Sequence, residues 1–288
     1  MRVAIIGGSG KMGRWFADFL LKEGRQVVIS GRNQKKLLEA KRQMGVDVAS
    51  NVEAVRGADA VLLSVPVESF EEVVEEISPH VSAGQAVIDI SSVKVLPVVT
   101  MHKHLKTKST LGVHPLFGPG ARSIVNQNFV LTPATAEEEA LAQKVREYLE
   151  TRGARVSLMT PQEHDEKMAI ILGLSHFIAI VSADTLLSSG IRQADAIGGI
   201  TYKVLLTLVE SVISEDPELY ASLQMNLPDV TEVEGLFLRK AREWADLVEN
   251  KDREKFVRQM AALRKELEQG NPDFGKSYEN MYRIVEGL

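Results

Sequence analysis

Residues 1–13 of the chain read Met-Arg-Val-Ala-Ile-Ile-Gly-Gly-Ser-Gly-Lys-Met-Gly, and they indicate how the first half of the chain folds. The apolar run 3–6 leads into Gly8-x-Gly10-x-x-Gly13, and an amphipathic segment follows. A strand, a glycine turn and a helix in this order suit a dinucleotide pyrophosphate. Glycines let the backbone approach the phosphates, and the helix N-terminus offers N–H groups and a positive dipole. The stretch therefore predicts a dinucleotide-binding domain.

The composition is that of an ordinary globular protein, and it excludes several function classes. The 288 residues are 44% hydrophobic and 25% charged, enough for two domains with a large core. The net charge of −5 argues against nucleic acid as a partner, because phosphate binding requires a basic face. The chain has no cysteine, which excludes disulfides and thiolate zinc sites. With no secretory apolar region after Arg2, we expect a cytoplasmic protein.

Apolar strands and helical segments alternate through the first half of the chain. The pattern predicts strands at 2–6, 26–30, 48–50, 60–65, 86–90, 109–113, 129–132 and 154–158. It predicts helices at 13–23, 33–44, 51–55, 68–77 and 136–151. This alternation predicts an α/β domain with a Rossmann-type, doubly wound parallel sheet.

The period of the sequence changes at Thr160. Thr160-Pro161-Gln162-Glu163 is typical of a helix start, with threonine as the N-cap, proline first and glutamate third in the helix. Nearly every later segment has helical spacing. We therefore predict a dinucleotide-binding domain over residues 1–159 and an all-α domain over 160–288.

One segment of the helical half is long and apolar enough to cross a bilayer. It runs from Met168 to Leu187, but it contains Asp184, which is costly in lipid. Asp165 and Glu166 stand just before it. We therefore predict a central helix buried inside a helical domain at a subunit interface, and we expect no membrane.

The residues after the second strand indicate which dinucleotide is bound. A carboxylate there bonds the 2′-hydroxyl of NAD, whereas an arginine accommodates the 2′-phosphate of NADP. The strand ends Ser30-Gly31-Arg32-Asn33, with no carboxylate and with the planar fork of Arg32. We therefore predict NADP as the favoured cofactor, with NAD as the alternative. The predicted nucleotide contacts are Gly8, Ser9, Gly10, Lys11, Met12, Gly13, Ser30, Arg32, Asn33, Val65 and Pro66.

Two further strand ends should converge at the carboxyl edge of the sheet, where such folds bind ligands. The first is the segment 89–94, which contains Ser92 and Lys94, and the second is 112–119, in which His114 precedes a proline. His114 could take a proton from a substrate hydroxyl while hydride leaves the substrate. Ser92 could orient the imidazole. On residue type alone, a loop histidine that caps a strand is the alternative.

Four segments resemble motifs of the prephenate dehydrogenases, enzymes of tyrosine biosynthesis. Residues 112–119, Gly-Val-His-Pro-Leu-Phe-Gly-Pro, closely resemble the family's His-Pro-Met-Phe-Gly-Pro signature, and Ser92-Val93-Lys94 matches its Ser-Val-Lys motif. Leu174-Ser175-His176-Phe177 looks like the His-Phe pair on the first helix of the family's dimerisation domain. Asp216-Pro217-Glu218-Leu219-Tyr220 is similar to its Asp-Pro-x-Leu-Tyr run. The resemblance implies an NAD(P)-dependent dehydrogenase of a small-molecule substrate and a homodimer joined through the all-α domain.

The resemblance also implies roles for single residues. His114 would draw the proton from the ring hydroxyl of prephenate, hydride would pass to the nicotinamide, and loss of carbon dioxide would yield 4-hydroxyphenylpyruvate. Ser92 would orient His114, and Lys94 would help hold the anionic groups of the site. His176 is implied as a substrate contact, with a satisfied histidine in an apolar helix as the alternative.

The chain departs from the family at one position. The family usually has an arginine five positions before the Asp-Pro, where it clamps a substrate carboxylate. This chain has Ser211 there. Lys203, Lys94 and Arg122 are the candidate substitutes. The departure weakens prephenate as the substrate more than it weakens the dehydrogenase class, so arogenate and another related cyclohexadienol stay open.

Two other functions are alternatives. A deazaflavin-dependent NADP reductase has a similar glycine turn and an arginine-bearing turn, but it lacks the His-Pro-Leu-Phe-Gly-Pro element. A non-catalytic NADP-sensing protein would fit the loss of the arginine clamp at Ser211.

Overall fold

The structure is a computed structural model that describes residues 1–190 and 197–287. Eight strands form one sheet: β1 (Arg2–Ile6), β2 (Gln26–Ser30), β3 (Asp47–Val48), β4 (Ala60–Leu63), β5 (Ala86–Asp89), β6 (Thr110–Pro115), β7 (Asn128–Thr132) and β8 (Arg155–Leu158). Their order across the sheet is β3-β2-β1-β4-β5-β6-β7-β8. The order reverses between β1 and β4, as in a doubly wound sheet, and this confirms the predicted Rossmann-type domain.

The sheet is parallel except at one pair of strands. β6 and β7 pair antiparallel, with His114 opposite Val130 and Pro115 opposite Phe129. The connecting residues 116–127 contain no helix, and a parallel return would require a crossover. The predicted doubly wound parallel sheet is therefore confirmed for β1 to β6, whereas β7 and β8 run antiparallel to these strands.

Six helices belong to the same part of the chain: α1 (Lys11–Lys22), α2 (Gln34–Met44), α3 (Asn51–Arg56), α4 (Phe70–Ile77), α5 (Val95–His104) and α6 (Ala136–Glu150). The pattern does not predict α5, because Pro97 and the β-branched Val98 and Val99 disfavour a helix. Pro97 is tolerated in the first turn, where N–H groups have no helical acceptor. The missed helix is important because it begins at the candidate site.

Both faces of the sheet are buried. Ile5 belongs to one buried apolar cluster with Phe16 of α1, and Ile6 belongs to a second cluster with Phe70 of α4. All four side chains are at most 7% exposed. Successive residues of one strand thus supply opposite cores, which explains the near-continuous apolar runs of the sequence.

The chain divides into two compact units, Met1–Met168 and Ala169–Leu288. The division comes after the predicted junction at 159/160 because α7 (Pro161–Met168) contacts α5 and β7 of the first unit. The second unit contains a π-helical turn (Ala169–Leu174), α8 (Ser175–Ser188), α9 (Ile200–Ile213), α10 (Pro217–Asn226), α11 (Val230–Glu249), α12 (Arg253–Gly270) and α13 (Ser277–Glu286). Its described residues form no strand, which confirms the predicted all-α character.

The apolar segment of the second half is helical from Pro161 to Ser188. Within the described parts of the chain, it is the one helix whose length and composition would allow it to cross a membrane, and only 17% of its most apolar window is buried. Ile170 and Leu187 are 57% and 82% exposed. The expectation that this helix is buried within its own domain is therefore wrong for a single chain.

Candidate active site

The glycine turn joins β1 to α1 at the carboxyl edge of the sheet. Gly7 has φ +85°, which favours glycine, and a Cβ there would collide with the carbonyl group of Ser64. A Cβ on Gly13 would lie 2.6 Å from the carbonyl oxygen of Gly7. The N–H groups of Gly7 and Gly8 donate to the Ser30 carbonyl at 3.1 and 2.8 Å. The turn is therefore held against β2, and α1 can begin beside it only because residue 13 has no side chain.

The start of α1 fits the pyrophosphate of a dinucleotide. Gly10 is the N-cap, without a side-chain cap, and the first turn holds Lys11 and no acidic residue. The N–H groups of Met12 and Gly13 have no acceptor within the helix, and they lie at the positive end of its dipole. The predicted contacts from Gly8 to Gly13 are thus brought together on one turn.

Replacing Gly13 with alanine is expected to raise the dissociation constant for the nucleotide. The added Cβ would press on the Gly7 carbonyl and move α1 away from the turn. Overpacking of about 1–3 kcal/mol would correspond to a loss of about 5-fold to 150-fold in affinity. Titration calorimetry measures it. Gly84→Ala is the matched control, since a Cβ there would have nothing within 4 Å. Equal affinities of G13A and wild type would contradict the expectation.

The loop after β2 adjoins the glycine turn. A Cβ on Gly31 would lie 2.6 Å from the Oγ atom of Ser9, so the two loops are in contact. The side chain of Arg32 is exposed. The Asn33 side chain accepts a hydrogen bond from the N–H of Lys36 at 3.0 Å and caps α2. Arg32 is therefore placed to meet a ligand, whereas the oxygen of Asn33 is engaged by the helix.

The structure differs from the expectation at Ser30. This residue is fully buried, and its Oγ atom has no hydrogen-bond partner, so its hydroxyl is not available to a ribose at the surface. Its carbonyl group holds the glycine turn instead. Val65 lies beside the turn, its Cγ1 atom 3.0 Å from where a Gly7 Cβ would be, and Pro66 follows with an exposed ring.

His114 lies near the end of β6 and is 4% exposed. Its Nδ1 atom lies 2.8 Å from Nε2 of His164, and Nδ1 of His164 lies 2.6 Å from Oδ1 of Asp165. Nε2 of His114 has no hydrogen-bond partner among the described residues and is not fully buried. That nitrogen is therefore the one available to a substrate.

Helix α7 presents His164 and Asp165 because a capping box defines its start. The N–H of Thr160 donates to Glu163 at 2.9 Å, and the N–H of Glu163 donates to the threonine hydroxyl oxygen at 3.1 Å. This confirms the predicted helix start. Asp165 in turn caps α5, accepting hydrogen bonds at 2.8 and 2.9 Å from the two N–H groups at its beginning. The carboxylate thus joins α7 to α5 at the site.

Lys94 is fully buried, and its ammonium group bonds to the carboxylate of Asp89, also fully buried, and to the carbonyl oxygen of Val113 at 3.0 Å. Gly112 leaves room for its stem, since a Cβ there would lie 3.1 Å from Cδ of Lys94. Burial lowers the pKa of Lys94, while Asp89 acts in the opposite direction. The expectation that Lys94 holds a substrate anion is therefore wrong for this arrangement, because its ammonium is enclosed by the protein.

The structure also differs from the expectation at Ser92. This half-buried residue lies in the turn after β5, and no hydrogen bond joins its hydroxyl to His114. The imidazole of His114 bonds to His164 instead. The residue that orients His114 in this structure is therefore His164.

Burial keeps the two histidines uncharged. Desolvation lowers the pKa of His114 well below its ordinary value, and the adjacent His164 and Lys94 lower it further. Desolvation also lowers the pKa of His164, although Asp165 opposes the shift. At neutral pH His114 therefore offers a lone pair, as a general base requires.

The loop that follows His114 is anchored by aromatic side chains. The ring of Phe117 lies 4.9 Å from that of Trp15 on α1 and 5.3 Å from that of Phe129 on β7. The Nε1–H of Trp15 donates to the Ala121 carbonyl at 2.7 Å. Arg122 follows with an exposed side chain. These contacts hold the His-Pro-Leu-Phe-Gly-Pro segment against the helix that carries the glycine turn.

Two of the motif segments meet within the second unit. The ring of His176 on α8 packs edge to face against Tyr220 of α10, with ring centres 4.8 Å apart. Nδ1 of His176 is buried without a hydrogen-bond partner, and burial lowers the pKa of this residue. Lys203 on α9 is exposed, and the Ser211 hydroxyl donates to the carbonyl group of Leu208 at 2.8 Å. Ser211 therefore supplies no fork for a carboxylate.

Three site residues have no counterpart among the predicted ones: Asp89, His164 and Asp165. Asp89 belongs to the segment 89–94, whose position at the carboxyl edge follows from the sequence, whereas its pairing with Lys94 does not. The helix start at Thr160 places the His-Asp pair in its first turns. Nothing in the sequence indicates that α7 packs against α5 and β7, and this packing brings His164 to His114 of β6.

Family models match most of the chain. The model described as the prephenate dehydrogenase nucleotide-binding domain matches residues 16–158, and the one described as the prephenate dehydrogenase dimerization domain matches residues 160–262. A probable arogenate/prephenate dehydrogenase of Methanocaldococcus jannaschii is 34% identical over 265 residues, which cover 90% of this chain and 59% of the relative. The chain spans 59% to 64% of the length of three curated relatives that it matches.

Solved structures share the fold. The prephenate dehydrogenase of Aquifex aeolicus, in complex with hydroxyphenyl propionate and NAD+, superposes with a TM-score of 0.78 at 21% identity over 94% of this chain and 98% of that one. The Synechocystis arogenate dehydrogenase superposes with a TM-score of 0.72 at 19% identity over 94% and 100% of the two chains. Because one family model matches residues 16–158, which include the His114 segment, and a second matches residues 160–262, the chain belongs to the prephenate dehydrogenase family.

Proposed function

We propose that this protein is an NAD(P)-dependent dehydrogenase that converts prephenate to 4-hydroxyphenylpyruvate by oxidative decarboxylation in tyrosine biosynthesis. The observation that carries the proposal is His114, an uncharged imidazole with Nδ1 bonded inward and Nε2 open, at the end of the strand next to β5. Family membership and the glycine turn support it. The absence of cysteine is consistent with our expectation that the enzyme works in the cytoplasm.

In the proposed reaction, the residues of the chain itself transfer one proton. Nε2 of His114 accepts the proton of the ring hydroxyl, and the C–H bond on the same carbon breaks toward the cofactor. The nicotinamide, when bound, supplies the hydride acceptor. The C–C bond to the ring carboxylate then breaks, carbon dioxide leaves, and the electron pair makes the ring aromatic. The proton held by His114 returns to the phenolic oxygen, so His114 ends the cycle uncharged.

Arogenate is the second candidate substrate, and the observation that favours it is Ser211. An arginine clamp at this position would bind a substrate carboxylate in bidentate fashion, and serine cannot. The first test is therefore an assay of the purified protein with prephenate and with arogenate, each with NAD+ and NADP+. Reduced cofactor with prephenate supports the proposal. Cofactor reduction with arogenate but not with prephenate would identify arogenate as the substrate. No cofactor reduction with either substrate would overturn the proposed function.

We propose NADP as the preferred cofactor. Arg32 is exposed on the loop that contacts the glycine turn, and the strand before it ends without a carboxylate. Arg32→Ala is expected to raise the KM for NADP+ by about 10-fold or more, with little change for NAD+, because a charge-assisted bond to phosphate contributes about 1.5–3 kcal/mol. Lys35→Ala, nearby on α2, is the control for general charge. A clear preference of the wild type for NAD+ would contradict the proposal.

We further propose that two copies of the chain associate through the second unit. The helix from Pro161 to Ser188 exposes apolar side chains, and such surfaces are typical of protein–protein interfaces. Residues 160–262 also match a family dimerization domain. Sedimentation equilibrium should give twice the 31.7 kDa of one chain. A monomeric mass at micromolar concentration would contradict this.

A further inference from the structure

We infer that His164 and Asp165 are positioning residues that select the reactive tautomer of His114 and receive the positive charge that His114 acquires. This inference rests on the proposed function. It is carried by one continuous chain of hydrogen bonds, from the start of α5 through Asp165 and His164 to His114.

The tautomers follow from the donors around Asp165. Two backbone N–H groups, of Lys94 and Val95, already donate to its oxygens, one to each. A group that accepts at both oxygens is a carboxylate, so Nδ1 of His164 carries the hydrogen that bonds to it. Nε2 of His164 then has a lone pair and must receive Nδ1–H of His114. His114 is left with its lone pair on Nε2, the nitrogen open to substrate.

The charges prepare the site for a proton. Lys94 and Asp89 form one buried ion pair of no net charge, and Asp165 is an additional buried carboxylate. When His114 takes a proton at Nε2, its Nδ1 proton can move across 2.8 Å to His164. The positive charge then lies 2.6 Å from the carboxylate of Asp165, and His114 becomes neutral again. The transfer reverses when the proton returns to the product, so no net charge accumulates.

The geometry favours this charge movement over a purely structural contact. His164 and Asp165 are 0% and 2% exposed, so water cannot stabilise an imidazolium there. Desolvation opposes a charge on either ring, and the one titratable group that favours it at close contact is Asp165. The other charged groups facing the pair are Lys94, which opposes the charge, and Asp89, which favours it from farther away.

The test compares two variants with a packing control. Asp165→Asn leaves one acceptor oxygen for three donors and removes the charge. His164→Gln can accept the bond from His114 but cannot hold a proton. Both are expected to lower kcat by about 10²-fold or more, in the range of a lost acid–base group, with KM changed by less than about threefold. Met168→Ala removes volume from the same helix, 1% exposed, and should leave kcat within about threefold.

The pH profile separates this role from a structural one. The loss of kcat/KM on acidification reports protonation of the His114–His164 pair. Because Asp165 raises the pKa of His164, its removal should move that acid limb to lower pH. If the substitution only loosened the packing of the site, water would enter and the acid limb would move to higher pH, toward the ordinary pKa of histidine. An unmoved limb, an upward shift or an unchanged kcat in both variants would overturn the inference.

Nitrogen-15 spectra of labelled histidine decide the tautomer without any turnover. The wild type should show Nδ1 protonated and Nε2 unprotonated for both His114 and His164. The signals that are absent from the His164→Gln spectrum are those of His164, which assigns them. If Asp165→Asn does not fold, His164→Gln is the variant that is compared with the wild type. A wild type that is inactive with every substrate but shows this pattern would contradict the proposed function and leave the inferred tautomers standing. An active wild type with His114 protonated at Nε2 would contradict the inferred role of His164 and Asp165 and leave the proposed function standing.

Discussion

The His114→Ala variant is expected to lose about 10²-fold to 10⁴-fold in kcat while its nucleotide affinity stays within about threefold. The loss follows because Nε2 of His114 is the open nitrogen of an uncharged, buried imidazole. His164 lies behind His114 and is itself fully buried. It therefore cannot take over the role. Single-turnover kinetics and nucleotide titration measure the two quantities.

The control for His114→Ala is His80→Ala. His80 is a half-buried histidine of the first unit that contacts Arg56, away from the strand ends of β5 and β6. This variant should retain full turnover. Retained turnover in His114→Ala would exclude the proposed base. Equal loss of nucleotide binding and turnover would instead mean that the substitution disrupts the domain.

The Lys94→Met variant is expected to lose about 3–5 kcal/mol of unfolding free energy, the usual result when a buried ion pair loses one partner. Methionine nearly preserves the length of the stem that crosses Gly112, so the loss isolates the charge. Asp89 would remain as a buried carboxylate, with the Ser91 N–H at 2.8 Å as its remaining donor in the turn. Thermal unfolding of the first unit should shift down by on the order of 10 °C.

The double variant Lys94→Met/Asp89→Asn provides the matched comparison. Asparagine keeps the acceptor for Ser91 but carries no charge, so the double variant should recover a substantial part of the loss. A single variant as stable as wild type would contradict the assignment of a buried pair. A double variant less stable than the single would mean that packing of the lysine stem, rather than charge, dominates.

Local signals in the sequence accounted for the nucleotide half of the site. The turn at Gly8, Gly10 and Gly13 works through backbone contacts between residues close in sequence, so its geometry follows from spacing. Arg32 is placed by the end of one strand. Ser30 fails as a ligand because the same strand buries its side chain, and a pattern of residue types does not distinguish a strand's last buried residue from its first exposed one.

The proton-handling half depends on contacts between distant segments. His114 and His164 are 50 residues apart, and Lys94 and Asp165 are 71 apart. The antiparallel return of β7 and the docking of α7 on α5 create both contacts. The sequence pattern does not predict α5, because Pro97 disfavours a helix. The capping of α5 by Asp165 could therefore not be predicted either. Neighbouring strand ends favour Ser92 as the partner of His114, whereas the observed partner, His164, lies on α7.

Residue pattern alone accounts for the alternation of strands and helices, the glycine turn and the helix start at Thr160. These depend on periodicity, on capping and on residue chemistry, all of which act over a few residues. Residue pattern left His114 open between a base and a strand-capping histidine, and the family resemblance favoured the base. The pairing of Lys94 with Asp89 and the contact of His164 with His114 follow from the packing of distant segments and could not be derived from local pattern. A buried charge must find its partner wherever the fold supplies one, and desolvation, which depends on the whole packed domain, sets the protonation state of the site.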